Sequence, residues 1–166
     1  MSSLTNASAA PVAAAASIVV NAGWAWAGVA VAAGALAGTR GRGAVAGVLT
    51  LIATTTAYYG ADAVLRHEPF GMYWPEMRVW WIAALLLGSL LGAVGANIGR
   101  PGVVGLLAGL TVPVGAAVEM LWLPRWSGSL TVSVALDEVR VLVWAAAAVG
   151  AGIAVMTYLR HPDQSD

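Results

Sequence analysis

Long apolar stretches alternate with short polar connections along the chain. A helix of roughly 20 residues crosses about 30 Å of hydrocarbon, and five of the apolar stretches reach that length. The pattern therefore predicts an all-α integral membrane protein, built as a bundle of five transmembrane helices. The predicted spans are Val12–Ala37, Ala44–Leu65, Val79–Ile98, Val103–Leu123 and Val139–Leu159.

Composition supports a protein that lies in lipid. Hydrophobic residues make up 60% of the 166 residues and charged residues 10%, whereas soluble domains carry roughly 25% charged residues. The formal net charge of zero argues against a nucleic-acid partner. The chain has no cysteine, and its two histidines, His67 and His161, lie far apart in sequence. We therefore expect no disulfide, no metal site and no cofactor.

The chain is predicted to form one domain with two polar ends. Residues 1–11 are expected to be frayed, residues 12–160 to form a single transmembrane helical domain, and residues 161–166 to form a polar tail. The N-terminus lacks a basic region, so it is not typical of a cleavable signal peptide.

The connections between the predicted spans are of two kinds. Gly38–Gly43 and Gly99–Gly102 are tight, whereas Arg66–Arg78 and Pro124–Glu138 are longer and lie on the opposite side. Four arginines fall on each side, so the count of basic residues leaves the orientation tied. Carboxylates accompany the arginines of the longer connections, which favours the tight connections as the cytoplasmic ones.

A short internal similarity links two parts of the chain. PEMRVWW at 75–81 and DEVRVLVW at 137–144 share a Glu-x-Arg-Val pattern at an offset of 62 residues. Two parallel helix–loop–helix repeats plus one extra helix would produce this pattern. Chance similarity in a chain of low complexity is the alternative, and both interpretations stay open.

Small and aromatic residues are predicted to separate towards opposite ends of the bundle. Rings and carboxylates gather near the longer connections. Glycines four residues apart gather near the tight connections, and such glycines permit close helix contacts in lipid. A bundle that is narrow at one end and open at the other encloses a pocket, so we expect a cup lined by carboxylates and indoles. The glycine pairs are Gly43 with Gly47, Gly88 with Gly92, Gly95 with Gly99, and Gly105 with Gly109.

Two acids inside the spans are the candidate catalytic residues. Asp62 and Glu119 each lie about one turn inside a span, between apolar neighbours, and intramembrane acids are functional candidates. A structural role stays open for both. Polar groups and rings three or four residues apart share a helix face, which places further residues near these acids. The candidate substrate-binding residues are Asn21, Trp24, Tyr58, Tyr59, Trp80, Trp81, Trp122 and Trp144.

Other charged and aromatic residues have structural interpretations. Acids suit the first turn of a helix, so Glu76 with Arg78, and Glu138 with Arg140, are predicted to form structural ion pairs. Tryptophan and tyrosine form belts at membrane interfaces. This interpretation applies to Tyr73, Trp74, Trp126 and Tyr158.

An acid, aromatic walls and a dry apolar cup suit the cyclisation of an isoprenoid chain. A carboxyl group in an apolar pocket favours its neutral form and can donate a proton. Aromatic rings stabilise cations, and the exclusion of water prevents their early capture. Protonation of a terminal alkene or epoxide would generate the cation, ring closures would follow, and a base would remove the final proton. A lipid-soluble substrate would enter from the bilayer.

On the segments YYGADAV and GAAVEMLW, with their surrounding tryptophans, the chain resembles small multi-pass actinobacterial membrane proteins of the membrane-bound terpene cyclase type. The resemblance rests also on size and number of spans, covers the whole chain loosely and includes no diagnostic motif. It implies an isomerase or lyase of secondary-metabolite biosynthesis in a bacterial cell membrane, acting on a prenylated indole or diketopiperazine, with the general acid at Asp62 or Glu119. The sequence has neither a DxDD nor a DDxxD motif, which argues against a magnesium-dependent prenyltransferase.

Two alternatives come from other classes of protein. A small transporter or channel would use Asp62 and Glu119 as proton or cation sites, with Pro113 breaking the fourth span. Five spans are few for a transporter, so this alternative needs a homo-oligomer. A non-catalytic accessory subunit would instead pack its small-residue faces against a larger membrane partner.

Overall fold

The computed structural model describes residue 13, residues 15–122 and residues 130–160, with side chains in the last range from Asp137 onward. These residues form helices and no strand, which confirms the all-α membrane fold. Within them, four helices are long and apolar enough to cross a membrane, and a bent pair makes a fifth if it counts as one span. The predicted frayed segment 1–11 and polar tail 161–166 lie outside the described residues.

Seven α-helices follow one another along the described chain. A short 3-10 helix, Phe70–Tyr73, leads into the fourth α-helix, and a short π-helix, Ala84–Gly88, joins the fourth α-helix to the fifth. Together they make Phe70–Gly95 one continuous span. The helices are α1 Ala15–Asn21, α2 Gly23–Ala37, α3 Arg40–Arg66, α4 Trp74–Ala83, α5 Ser89–Gly95, α6 Gly102–Trp122 and α7 Leu130–Arg160.

The chain divides into two compact units, each packed mainly within itself. Unit 1 comprises Met1–Trp26 and Pro101–Asp166, and unit 2 comprises Ala27–Arg100. Each unit contains one helical hairpin, in which α6 packs against α7 in unit 1 and α3 packs against α4 and α5 in unit 2. The single transmembrane domain over residues 12–160 stays a prediction.

The charged connection after the second span is much shorter than predicted. α3 continues to Arg66 and the 3-10 turn begins at Phe70, so only residues 67–69 join them. His67 ends α3 in a left-handed conformation with φ of 56°, and the next N–H, that of Glu68, donates to the Ala63 carbonyl at 2.9 Å. Most of the predicted loop is helical because a helix satisfies its own backbone groups at a membrane surface. Pro75 is tolerated in the first turn of α4, where its missing N–H removes no helical bond.

The first predicted span is two helices rather than one. α1 and α2 meet at an angle of 58° around Ala22, which belongs to neither helix. The break leaves carbonyl groups at the end of α1 and N–H groups at the start of α2 without helical partners. In an apolar environment such groups need side-chain partners, and unit 1 supplies them.

The hairpin of unit 2 is held by direct contact between helix backbones. A Cβ atom on Gly92 would overlap the carbonyl oxygen of Gly43, and one on Gly47 would overlap that of Gly88. These glycines are buried, which confirms the predicted close packing for the pairs Gly43–Gly47 and Gly88–Gly92. Gly99 is different, because it adopts a φ of 80° in a turn and has open space around it.

The hairpin of unit 1 repeats a contact of the hairpin of unit 2. A Cβ atom on Gly47 would lie 3.0 Å from the Cα of Gly92, and 62 positions later a Cβ on Gly109 would lie 2.9 Å from the Cβ of Ala154. The same offset relates the first residues of α3 and α6 and the two Glu-x-Arg-Val segments. The packing therefore supports the interpretation of the chain as two helical repeats plus one additional helical segment.

Candidate functional site

An apolar cavity of about 340 Å³ lies within unit 1. Side chains from α1, α2, α6 and α7 line it, and apart from the Trp24 indole they are entirely hydrocarbon. Leu142, which is 68% exposed, and Ala146 lie on its outer edge, so the cavity opens at a surface that is apolar. Its walls include Val19, Trp24, Pro113, Ala116, Val143 and Ala146.

Small side chains explain why space remains at this point of the hairpin. Ala116 on α6 and Ala147 on α7 line the cavity where larger side chains would fill it. On the same helices Pro113 lies close to Gly150, where a Cβ atom would be only 3.1 Å from the proline ring. α6 is nevertheless one continuous helix through Pro113, so it lacks the break that the transporter alternative would use.

Glu119 lies beside this cavity and caps the start of α2. Its Oε1 accepts a hydrogen bond from the Gly23 N–H, and its Oε2 accepts one from the Trp24 N–H, both at 2.8 Å. These are two of the N–H groups that the break in the first span exposes. A carboxylate at the start of a helix also suits the positive end of the helix dipole. Glu119 thus fixes the position of Trp24, one wall of the cavity.

A second side chain satisfies a backbone group at the break between α1 and α2. The indole Nε1 of Trp26 donates to the carbonyl oxygen of Val20 at 2.7 Å, so an acceptor at the end of α1 is also satisfied. Sequence reasoning missed Trp26, because a contact that spans a bend has no fixed spacing. The Asn21 amide donates to the Ser17 carbonyl within α1 at 2.8 Å. The Trp24 Nε1, by contrast, is buried without a partner among the described residues.

Arg140 lies on α7, and its side chain contacts the last turn of α6. Its Nε donates to the Met120 carbonyl at 3.1 Å, and its Nη1 forms an ion pair with Asp137 at 3.2 Å. A cation near the last carbonyls of a helix is favourable. The structure therefore shows an ion pair of Arg140 with Asp137, three residues before it, and the pair with Glu138 stays a prediction. Residues two apart on a helix project to different faces, whereas residues three apart are neighbours.

The other predicted ion pair, Glu76 with Arg78, has the same two-residue spacing. Glu76 and Arg78 are both exposed on α4, and no ion pair joins them. They lie two residues apart, a spacing that does not bring side chains together on a helix.

Asp62 lies in unit 2, near the end of α3. Its Oδ1 accepts from the Nε of Arg66, one turn further along the helix, at 2.7 Å. The Asp62 side chain is 28% exposed and that of Arg66 is 64% exposed. In the following connection the hydroxyl of Tyr73 donates to Glu68 at 2.5 Å. These contacts form a polar end to the hairpin of unit 2.

The predicted substrate-binding rings fall into three groups. Trp24 lines the cavity of unit 1. In unit 2, Tyr59 contacts both Tyr58 and Tyr73 at ring distances of 5.3 and 5.4 Å, and Trp81 contacts Trp74 at 5.6 Å. The remaining three predicted rings lie at the surface: Trp80, Trp122 and Trp144 are 55%, 82% and 45% exposed.

The described residues contain no group of three His, Asp or Glu side chains placed to hold a metal ion. Comparisons of the chain with known protein families, with curated proteins and with solved structures found no match. The candidate site therefore rests on its own residues: an apolar cavity in a membrane-spanning hairpin, an indole wall, and a carboxylate that holds this wall.

Proposed function

We propose that this protein of the bacterial cell membrane binds an apolar, lipid-soluble molecule in the cavity of unit 1 and cyclises its isoprenoid chain. The cavity is the observation that carries the proposal. Its volume of about 340 Å³ falls within the range of roughly 300–1,000 Å³ that is usual for ligand pockets. Its hydrocarbon walls favour an apolar ligand, and its edge at Leu142 and Ala146 gives access from the bilayer.

Within this proposal Glu119 supplies the proton. It shares unit 1 with the cavity, and it lies one helical turn from Ala116 in the cavity wall. Transfer of a proton from the carboxyl group to a terminal alkene or epoxide leaves a cation on the substrate and a carboxylate on Glu119. The carboxylate accepts the Gly23 and Trp24 N–H groups, and the Trp24 ring stabilises the cation. The Glu119 carboxylate then takes a proton from carbon, which ends the cyclisation and restores the carboxyl group, so that the product is an isomer of the substrate.

A non-catalytic membrane subunit is the second candidate function. One observation favours it: both intramembrane acids already have structural partners, Glu119 at the start of α2 and Asp62 in an ion pair with Arg66. In this case the cavity would hold a lipid chain without converting it. Activity measurements separate the two functions, and occupancy of the cavity is common to both.

Phenylalanine at position 146 is expected to block the cavity. Ala146 and its neighbour Ala145 are both exposed alanines of α7, but only Ala146 lines the cavity. Ala146→Phe should reduce labelling by a photoreactive farnesyl probe several-fold, because the larger side chain enters the cavity, and Ala145→Phe should leave labelling unchanged. The measurement is mass-spectrometric mapping of the labelled peptides in purified protein. Equal labelling of both variants, or labelling confined to unit 2, would contradict the proposed binding site.

The cyclase activity is tested in a host that is supplied with a linear farnesylated indole. Wild-type protein should convert it into an isomer of unchanged mass. Loss of a general acid typically costs about 10²- to 10⁴-fold in rate, so Glu119→Gln should remove most of the product per folded molecule, whereas Asp62→Asn should retain it. If Asp62→Asn lost the product and Glu119→Gln retained it, the general acid would be Asp62. No isomer from the wild-type protein, together with normal probe labelling, would favour the non-catalytic subunit.

A further inference from the structure

Three exposed arginines gather at one end of unit 2. Arg40 and Arg42 begin α3, and Arg100 is the last residue of the unit. The acids of this unit lie elsewhere, and Asp62, the nearest along α3, is about 33 Å away at the helical rise of about 1.5 Å per residue. The arginines therefore have no carboxylate partner within the described part of unit 2. We call Arg40, Arg42 and Arg100 the arginine cluster.

The buried residue Asn97 bonds the side chain of Arg40 and the backbone of Arg100. Asn97 is 7% exposed, and its Oδ1 accepts a hydrogen bond from the Arg40 Nε at 2.9 Å. The Asn97 amide nitrogen donates to the Ala93 carbonyl at 2.6 Å, and the Asn97 backbone carbonyl accepts from the Arg100 N–H at 3.1 Å. The bond through Nε orients the Arg40 guanidinium and leaves its two terminal nitrogens available for an anion with more than one oxygen acceptor.

The charges of Arg40 and Arg42 do not favour the start of α3. Cations in the first turn of a helix oppose the positive end of its dipole, so Arg40 and Arg42 do not stabilise α3 by this effect. Sixty-two positions later, α6 begins a similar hairpin with Gly102 and Val104 at the matching positions. An anion bound near the start of α3 would make the arrangement favourable, because N–H groups and basic side chains both attract it.

We propose that the arginine cluster binds the phosphate of an anionic membrane phospholipid. The chemistry is that of a phosphate held by guanidinium groups, and its position identifies a lipid as the source. Arg40 begins one candidate span, and Arg100 follows the end of another at Gly95. Lipid headgroups lie where spans end. This binding is independent of the cavity in unit 1 and of the proposed cyclase activity.

The test is a lipid titration of the full chain, purified in neutral detergent and followed by native mass spectrometry. Phosphatidylglycerol should bind more tightly than phosphatidylcholine, whose choline group cancels the phosphate charge. Each basic residue near a membrane surface contributes about 1 kcal/mol, or roughly 5-fold in affinity, so Arg40→Gln and Arg100→Gln should each weaken phosphatidylglycerol binding by roughly that factor. Arg40→Lys should also weaken it, because lysine keeps the charge but cannot reproduce the bond through Nε to Asn97.

Arg78→Gln is the matched control. Arg78 is an exposed arginine of the same unit, on α4 and away from the cluster, so its loss changes the net charge equally. The proposal predicts unchanged phosphatidylglycerol binding for this variant. Equal weakening by Arg78→Gln and Arg40→Gln would overturn the proposal, as would equal binding of the two lipids. Wild-type affinity in Arg40→Lys would overturn the role of Asn97, and displacement of the lipid by millimolar inorganic phosphate would overturn the assignment to a lipid.

Discussion

Alanine in place of Gly92 is expected to destabilise unit 2 by about 3 kcal/mol, which is large for the addition of one methyl group. The new Cβ would overlap the carbonyl oxygen of Gly43 and lie 3.1 Å from the Cα of Gly47. Both neighbours are backbone atoms, so neither can move aside by rotating a side chain. α3 and α5 would have to separate, and the close packing along both helices would be lost.

Gly41→Ala is the matched control for this prediction. Gly41 lies in the first turn of α3, and a Cβ there would meet nothing within 4 Å. Alanine favours helix over glycine by about 1 kcal/mol, so this variant should be as stable as the wild type or slightly more stable. The measurement is reversible unfolding in mixed micelles, followed by circular dichroism. Equal stability of Gly92→Ala and Gly41→Ala would contradict the close approach of α3 to α5.

The apolar spans could be predicted because they depend only on local composition. The predicted span Ala44–Leu65 corresponds to α3, Arg40–Arg66, and the predicted span Val103–Leu123 corresponds to α6, Gly102–Trp122. The ends differ by a few residues because a helix continues through polar side chains that reach the membrane surface. Hydropathy detects the end of the hydrocarbon stretch, which is not the end of the helix.

The break in the first span could not be predicted from local sequence. The carboxylate that satisfies the N–H groups of Gly23 and Trp24 lies on Glu119, and 95 residues separate it from Trp24. No proline marks the break, and Asn21 and Gly23, which flank it, do not by themselves end a helix. Sequence reasoning identified Glu119 as an unusual acid inside a span, but its partners depend on how α6 packs against the start of α2.

The predicted cup of carboxylates and indoles differs from the apolar cavity of unit 1. Helical spacing predicts only how side chains of one helix are directed relative to one another. Residues three or four apart share a face, but the spacing does not say whether this face meets another helix or the lipid. Trp122 and Trp144 lie on outward faces, where they are 82% and 45% exposed. The cavity is instead lined by alanines and valines, whose small volume leaves the space unfilled. Among the predicted rings, Trp24 lines it.

Removal of the Glu119 carboxylate is expected to destabilise unit 1 by about 2–4 kcal/mol. Glu119→Ala would leave the N–H groups of Gly23 and Trp24 without their acceptors, and each donor left without a partner in an apolar environment costs roughly 1–3 kcal/mol. The lower part of the summed range is expected, because polar contacts in membrane proteins contribute modestly. Glu138→Ala is the matched control, because Glu138 is an exposed carboxylate of the same unit, and its loss should cost less than about 0.5 kcal/mol.

Hydrogen exchange locates the effect as well as its size. In Glu119→Ala the Gly23 and Trp24 amides should exchange faster, while amides in the middle of α7 keep their protection. Glu119→Gln should give an intermediate result, because its amide keeps one oxygen acceptor but places an NH₂ group near the other N–H. Unchanged protection and unchanged stability in Glu119→Ala would show that the cap contributes nothing. If Glu119→Gln loses cyclisation while the two amides stay protected, Glu119 acts on the substrate; if activity and protection fall together, it acts by holding Trp24 in the cavity wall.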